Sequence, residues 1–216
     1  MTSIKFEKLG VFLSKPIAFM FVLIYLSQSI FIIFLVQEKF NLEKQIDFQR
    51  KRIDELEEKL QILQVIDDFQ VGFNDRDKAR LVNVISDECK KYDYDPMFLM
   101  ALILTESSFK SGQVSSAGAL GLMQIRPFVG KSLAGKIGAE WEGDETLFQP
   151  DVNIRMGALH LFEMILKFKD VRQAIVSYNL GEAELRSRVR ENRPLPRAFF
   201  DRVISNYNML KEKYDI

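Results

Sequence analysis

One glutamate in this sequence stands where a side chain can serve as a general acid. Asp95-Pro96 predicts a helix start, with the aspartate as the cap and the proline at the first helical position. Residues 97 to 104 are all apolar, so this helix must be buried on nearly every side. Glu106 therefore emerges where a core helix ends, and partial loss of hydration there raises a carboxyl pKa. A raised pKa keeps the proton available for donation near neutral pH, as general acid catalysis requires.

A glycine-bearing segment follows this glutamate and predicts a ligand groove beside it. Gly118 and Gly121 supply backbone freedom and permit close approach to a ligand. Met123 and Gln124 add an apolar contact and an amide that both donates and accepts hydrogen bonds. Ser107, directly after the glutamate, is placed to cap or orient its carboxyl group. We therefore expect an acid and a binding groove within one short stretch of the chain.

Two further motifs lie downstream in the same chain. The three segments are Glu106-Ser107-Ser108-Phe109 with Gly118-Ala119-Leu120-Gly121-Leu122-Met123-Gln124-Ile125-Arg126-Pro127, then Asp151-Val152-Asn153-Ile154-Arg155-Met156-Gly157, then Ser177-Tyr178-Asn179-Leu180-Gly181. In this order they resemble the catalytic domain of the lytic transglycosylases, the lysozyme-like enzymes that cleave peptidoglycan. The resemblance covers about residues 75 to 210. It frays after Pro196, where the Glu, Thr and Tyr of the family pattern are missing.

The resemblance implies a reaction that uses one acid and no water. Glu106 would protonate the oxygen between N-acetylmuramic acid and N-acetylglucosamine, while the sugar's own acetamido oxygen stabilises the cation at C1. Glu106 would then act as a base on the muramoyl C6 hydroxyl, which closes a 1,6-anhydro ring. The resemblance also implies that Tyr178 lies across the cleft from the acid. The expected site comprises Glu106 as the catalytic residue and five substrate-binding residues: Ser107, Met123, Gln124, Tyr178 and Asn179.

Other chemistries find little support in the sequence. His160 is the only histidine, so a His-rich metal site cannot form, and we expect neither a metal nor a cofactor. Asp151 is expected to cap a helix. Cys89 is the only cysteine, so no intrachain disulfide forms, and we expect it to be a small buried hydrophobe. Three other carboxylates fall in a charged, solvated loop: Glu142, Asp144 and Glu145.

The N-terminal part of the chain predicts a membrane anchor. Residues 16 to 36 carry no charge, and at about 1.5 Å each they span roughly 31 Å, the thickness of a bilayer's hydrocarbon core. Lys5, Lys8 and Lys15 precede the run, and Glu38 and Lys39 follow it. The positive-inside rule then places residues 1 to 15 in the cytoplasm and the catalytic domain outside it. With the peptidoglycan substrate that the resemblance implies, we expect the anchor to lie in the bacterial inner membrane and the catalytic domain in the periplasm. A cleavable signal peptide is the alternative, since Ser27-Gln28-Ser29 offers small residues, but the apolar run continues beyond the usual signal length.

Residues 37 to 68 form a polar stretch with a heptad repeat. Its apolar a and d positions are Leu42, Ile46, Ile53, Leu56, Leu60 and Leu63, and its polar exceptions are Lys39, Gln49 and Asp67. This register is consistent with a short coiled coil through which the protein self-associates. A single amphipathic stalk, or a helix packed on the catalytic domain, fits the same pattern. We place the catalytic domain at residues 70 to 216.

Beyond residue 70 the sequence predicts helices joined by polar or glycine-bearing turns. The predicted helices are 78 to 91, 96 to 106, 127 to 134, 152 to 167, 171 to 178, 182 to 190 and 197 to 213. No alternating strand run is present. The predicted fold class is therefore mainly α. The resemblance implies a lysozyme-like, goose-type helical domain, here preceded by a transmembrane helix and a helical stalk.

The leading functional interpretation is a membrane-anchored peptidoglycan lytic transglycosylase. A lysozyme-like muramidase, which delivers water to the bond, is the alternative among enzymes. A non-catalytic peptidoglycan-binding scaffold of the envelope is the alternative of another class. Six arginines crowd residues 186 to 202 of a chain with no net charge, either as a solvated face or to hold peptide carboxylates. We expect no nucleic-acid partner, because the domain faces outward.

Overall fold

The computed structural model describes residues 15–69 and 72–214. This part of the chain is mainly helical and contains no β-strand, which confirms the predicted fold class. Two isolated antiparallel bridges, Val114 with Leu120 and Leu120 with Ile125, are present within it. Lys5 and Lys8, which orient the predicted anchor, lie outside the described residues. So does the predicted cytoplasmic segment, apart from its last residue.

Helix α1 (Lys15–Phe69) continues for 55 residues without a break. It contains no glycine, and its only proline, Pro16, lies in the first turn, where the missing N–H breaks no helical hydrogen bond. By length and composition, α1 can cross a membrane once, in agreement with the apolar run at residues 16 to 36. The chain divides into two compact units, Met1–Asp54 and Glu55–Ile216. The apolar run belongs to the first unit, and the last turns of α1 belong to the second.

The second unit continues with shorter helices, each close to a predicted one. They are α2 (Asp75–Tyr92), α3 (Pro96–Ser107), α4 (Pro127–Ala134), α5 (Pro150–Phe168), α6 (Val171–Leu180), α7 (Glu182–Arg190) and α8 (Ala198–Tyr214). Two 3₁₀ turns, Gly135–Ile137 and Asp144–Phe148, lie between α4 and α5.

Local sequence signals set where the helices begin. The Asp95 carboxylate accepts the N–H of Met97 at 2.8 Å, and Pro96 opens α3, as expected. The expectation that Asp151 caps α5 is wrong. The helix begins earlier, after Gln149, so Asp151 lies in its first turn, where a negative charge favours the helix dipole.

Helix α3 forms the centre of the core in the second unit. Residues 99 to 103 have no exposed surface, α3 packs along α8, and α5 packs against α2 and α6. Cys89 on α2 is buried, as predicted. Ile62, Val65 and Ile66 of α1 are fully buried in the same core. The last turns of α1 are thus an integral part of the unit that contains α3.

Candidate active site

A cavity of about 220 Å³ opens where α3 ends, bordered by the loop before α4 and by α5 and α6. Four of the six expected site residues line it: Glu106, Gln124, Tyr178 and Asn179. The other two, Ser107 and Met123, are buried next to lining residues and are not part of the wall. The fold therefore brings three separate sequence segments to one cavity.

Glu106 lies in the last turn of α3 and is the only carboxylate that lines the cavity within the described part of the chain. Loss of hydration on burial raises the pKa of Glu106 to about 8, and the positive charge of Arg202 opposes this only in part. The carboxyl group is therefore mostly protonated at neutral pH and loses its proton as the pH rises through about 8. A group in this state can donate a proton near neutral pH.

The chain turns sharply just after this acid. Ser108 and Phe109 have φ angles of 50° and 58°. Non-glycine residues adopt this left-handed region at a cost of about 1–3 kcal/mol each. The Ser108 N–H donates to the Leu104 carbonyl at 3.0 Å, and Phe109 is only 1% exposed, so core packing holds the turn in place. The Ser107 hydroxyl donates to the Ile103 carbonyl at 3.2 Å, so Ser107 supports the helix end and not the cavity wall.

The side chain of Asn153, on α5, forms hydrogen bonds with the backbone of the glycine-bearing loop. Its amide nitrogen donates to the carbonyls of Leu120 at 2.9 Å and Leu147 at 2.8 Å, and its oxygen accepts the Met123 N–H at 2.7 Å. The side chain is fully buried, so these bonds compensate its loss of hydration. A Cβ at Gly121, where φ is +79°, would lie 2.3 Å from both Asn153 Nδ2 and the Leu147 carbonyl. Only glycine fits at that position.

Met123 is buried beneath the cavity, and its backbone carbonyl binds the hydroxyl of Tyr178. It packs so closely on α5 that a Cβ at Gly157 would lie 2.3 Å from its sulfur atom. The Met123 carbonyl accepts the Tyr178 hydroxyl at 2.8 Å, and burial, with the nearby Glu106, raises the pKa of Tyr178. The backbone carbonyl engages the only proton of this phenol. Toward the cavity, the Tyr178 oxygen can therefore accept a hydrogen bond but cannot donate one.

Gln124 presents its side-chain amide to the cavity in a fixed orientation. Its φ of 49° places it in the left-handed region, directly after the buried Met123. Its amide nitrogen donates to the Gln113 carbonyl at 3.1 Å and to the Gly121 carbonyl at 2.9 Å. Both donors are thus used by the loop, and the amide oxygen is the group that can accept from a ligand.

The model of the transglycosylase SLT domain family matches residues 83–198 of this chain. The chain belongs to this family. The matched segment runs from within α2 to the first residue of α8, and it includes Glu106, the glycine-bearing loop, Asn153 and Tyr178.

Relatives of this SLT domain occur in several longer proteins. A transglycosylase of Enterobacteria phage PRD1 is 34% identical over 91 residues, which are 42% of this chain and 31% of the phage protein. A putative soluble lytic murein transglycosylase of Haemophilus influenzae is 38% identical over 85 residues, 39% of this chain and 14% of that protein. This chain thus spans less than a third of either relative.

A solved structure resembles this SLT domain as well. The structure of an inactive mutant of the lytic transglycosylase Slt from Pseudomonas aeruginosa superposes with a TM-score of 0.53 and is 28% identical in sequence. The match covers 61% of this chain and 24% of that one. This similarity confirms the lysozyme-like fold.

His160 of this SLT domain lines the cavity, although it was not among the expected site residues. Its ring centroid lies 5.2 Å from that of Tyr178, and burial lowers the pKa of His160, which favours the neutral imidazole. A sequence signal for its position exists: it follows Asn153 by seven residues and therefore lies on the same face of α5. No group of histidine, cysteine, aspartate and glutamate side chains able to hold a metal is found within residues 15–69 and 72–214.

Arginines of the cluster at residues 186 to 202 in this SLT domain pair with glutamates. The bonds are Arg186 to Glu182 at 2.8 Å, Arg188 to Glu184 at 2.8 Å and Arg193 to Glu191 at 2.7 Å. These pairs lie on a solvated surface, where each contributes little to stability. Arg202 differs from them, because its charge acts on Glu106.

Proposed function

We propose that this protein is a membrane-anchored lytic transglycosylase that cleaves the β-1,4 bond between N-acetylmuramic acid and N-acetylglucosamine in peptidoglycan. The observation that carries the proposal is the partial burial of Glu106, which raises the pKa of this carboxyl group in a cavity with no second carboxylate within the described residues. The murein transglycosylases among the relatives support peptidoglycan as the substrate. The family pattern and the electrostatics of the cavity therefore point to the same acid.

One carboxyl group suffices when the substrate supplies the second function. Glu106 donates its proton to the bridging oxygen, the bond from that oxygen to muramoyl C1 breaks, and N-acetylglucosamine leaves with a new hydroxyl group. The acetamido oxygen bonds to C1 in its place. Ionised Glu106 then removes the proton of the C6 hydroxyl, whose oxygen attacks C1 and displaces the acetamido oxygen. The product is a 1,6-anhydro ring, and Glu106 is protonated again.

The expected binding residues take different parts in this proposal. Gln124 offers its amide oxygen and Asn179 its amide to the sugar from the cavity wall. Tyr178 offers an acceptor oxygen near the acid. Ser107 and Met123 act from behind the wall, by supporting the end of α3 and the hydroxyl of Tyr178.

One experiment distinguishes the transglycosylase from the two alternative functions, a muramidase and a non-catalytic scaffold. A muramidase would deliver water to C1 and leave a reducing muramic acid, whereas a scaffold protein would bind peptidoglycan and cleave nothing. Hydrolysis usually requires a second carboxylate, which favours the transglycosylase. Identifying the sugar ends that the purified protein generates from peptidoglycan separates all three.

We further propose that α1 anchors the protein in the bacterial inner membrane with the SLT domain in the periplasm. The charge-free run and the lysines before it support this orientation. Protease added to intact spheroplasts is expected to remove the SLT domain, while a cytoplasmic marker protein survives. Digestion of the SLT domain only after lysis would contradict this topology.

We also propose that the protein self-associates through the stalk, residues 37 to 68. Ile46, Ile53, Leu56 and Leu60 of the seam are exposed on α1, and burying such a row is what drives coiled-coil pairing. Cysteine placed at Ile46 or at Ile53 of the full-length protein is therefore expected to form disulfide-linked dimers in membranes. Lys51→Cys, outside the seam, is the matched control. Equal crosslinking at all three positions, or none at the seam, would contradict the proposal.

A further inference from the structure

The last turn of α1 contacts the segment that follows the acid. The ring of Phe69 stacks on that of Phe109 with centroids 6.4 Å apart and an interplanar angle of 24°. Phe109 is three residues beyond Glu106 and is the second of the two left-handed residues that end α3. An aromatic ring of α1 thus stacks on this turn.

A second connection reaches the other side of the acid through α8. The Asp68 carboxylate accepts the Tyr214 hydroxyl at 2.6 Å and the Lys213 ammonium at 2.8 Å, which joins the last turn of α1 to the last turn of α8. In the middle of α8, the Asn206 amide donates to the Thr105 hydroxyl of α3 at 2.9 Å. Thr105 immediately precedes Glu106. The residue before Glu106 thus contacts α8, which is bonded to Asp68, and Phe109 after Glu106 contacts Phe69.

We propose that Phe69 is a positioning residue for Glu106, so that the helix that contains the membrane-spanning run also holds the catalytic acid in place. This inference rests on the proposed role of Glu106. The two left-handed residues after α3 are unfavourable on their own and keep their conformation only while Phe109 is held. Removing the Phe69 ring takes away this stacking contact and opens a space beside Phe109. The turn then relaxes and the Glu106 carboxyl moves.

Such a movement has a signature that loss of stability alone lacks. Misplacing a catalytic group by about 1 Å can cost about 100-fold in rate. A relaxed turn also admits water to Glu106, which lowers its pKa because burial is what raises it. The other charged or titratable groups near it are Arg202 of α8, Tyr178 of α6 and His160 of α5, and none of them changes in the variant.

The test uses the full-length protein in detergent with soluble uncrosslinked glycan strands. For Phe69→Ala we expect kcat to fall about tenfold with KM unchanged within about twofold, as a misplaced acid implies. The alkaline limb of its pH profile should move to lower pH than in the wild type. Phe69→Leu, which keeps much of the packing, should lie between the two. Phe162→Ala removes a half-buried ring that packs at a tilt against Tyr92, with centroids 4.7 Å apart, and is the matched control, expected to lower Tm without moving the pH profile.

Two results would overturn this inference. One is a Phe69→Ala protein, or a Phe69→Leu protein if the alanine variant does not fold, with wild-type kcat and alkaline limb. The other is a pH profile that moves equally in Phe162→Ala. Glu106→Gln, measured in parallel, separates the two proposals: an inactive Glu106→Gln with unperturbed Phe69 variants removes only the positioning role. An active Glu106→Gln removes the proposed function itself.

Discussion

Glu106→Gln is expected to lower the release of muropeptides from purified sacculi by about 100- to 10,000-fold, the usual contribution of a positioned acid or base. Glutamine keeps the shape of the side chain and has no proton to donate or to take back. The fold should persist, because the substitution also removes a carboxyl group whose ionisation is unfavourable in the buried site. Soluble muropeptides are counted by chromatography, and circular dichroism checks the helix content and the Tm.

Two companion variants test the selectivity of that result. Glu145→Gln alters an exposed carboxylate outside the cavity and should leave the rate unchanged. Tyr178→Phe should reduce the rate less than Glu106→Gln, since the acid remains. It leaves the Met123 carbonyl without its 2.8 Å donor, and an unsatisfied buried acceptor costs about 1–3 kcal/mol of stability. Wild-type activity in Glu106→Gln would refute the assigned acid.

A fragment that starts at Glu55 is expected to fold, whereas one that starts at residue 70 is not. The shorter fragment lacks Ile62, Val65 and Ile66, which are fully buried in the core. Burying three such side chains contributes about 5–9 kcal/mol, which is comparable to the total stability of an ordinary domain. The shorter fragment also lacks Glu58 and Asp68, which accept hydrogen bonds at 2.6 Å from Ser86 and Tyr214.

Urea unfolding of the two fragments, followed by circular dichroism, measures this difference. The longer fragment should show one cooperative transition, and the shorter one little helical signal without denaturant. Ile62→Ala in the longer fragment is a graded control that should cost about 2–5 kcal/mol. Equal transition midpoints for both fragments would show that the end of α1 is dispensable to the fold.

The helices of the second unit follow closely from the sequence because their signals are local. Proline in the first turn fixes the starts of α3, α4 and α5, and Asp95 adds a side-chain cap to α3. Apolar residues on nearly every side identify α3 as the buried helix, and the full burial of residues 99 to 103 confirms that reading. The error at Asp151 concerned a single helix boundary, where Gln149 before the proline carries no strong cap signal.

Longer-range features were less accessible from the sequence. The heptad register placed Leu60 and Leu63 in its seam, whereas the core takes Ile62 and Ile66 from outside that register, so their burial was not predictable from the heptad spacing. The sequence interpretation also treated Met123 as a groove residue, although its side chain packs on Gly157 beneath the cavity. The sequence interpretation left His160 out of the site, whereas α5 places it beside Tyr178.

The sugar ends released by the wild-type protein test the proposed function most directly. Purified sacculi are digested to completion, and the products are reduced with borohydride and identified by mass. Attack by the C6 hydroxyl leaves 1,6-anhydro-N-acetylmuramic acid, which borohydride does not reduce. We predict that this end predominates. Products that end mainly in reducible muramic acid would instead show that water attacks C1 and that the protein is a hydrolase.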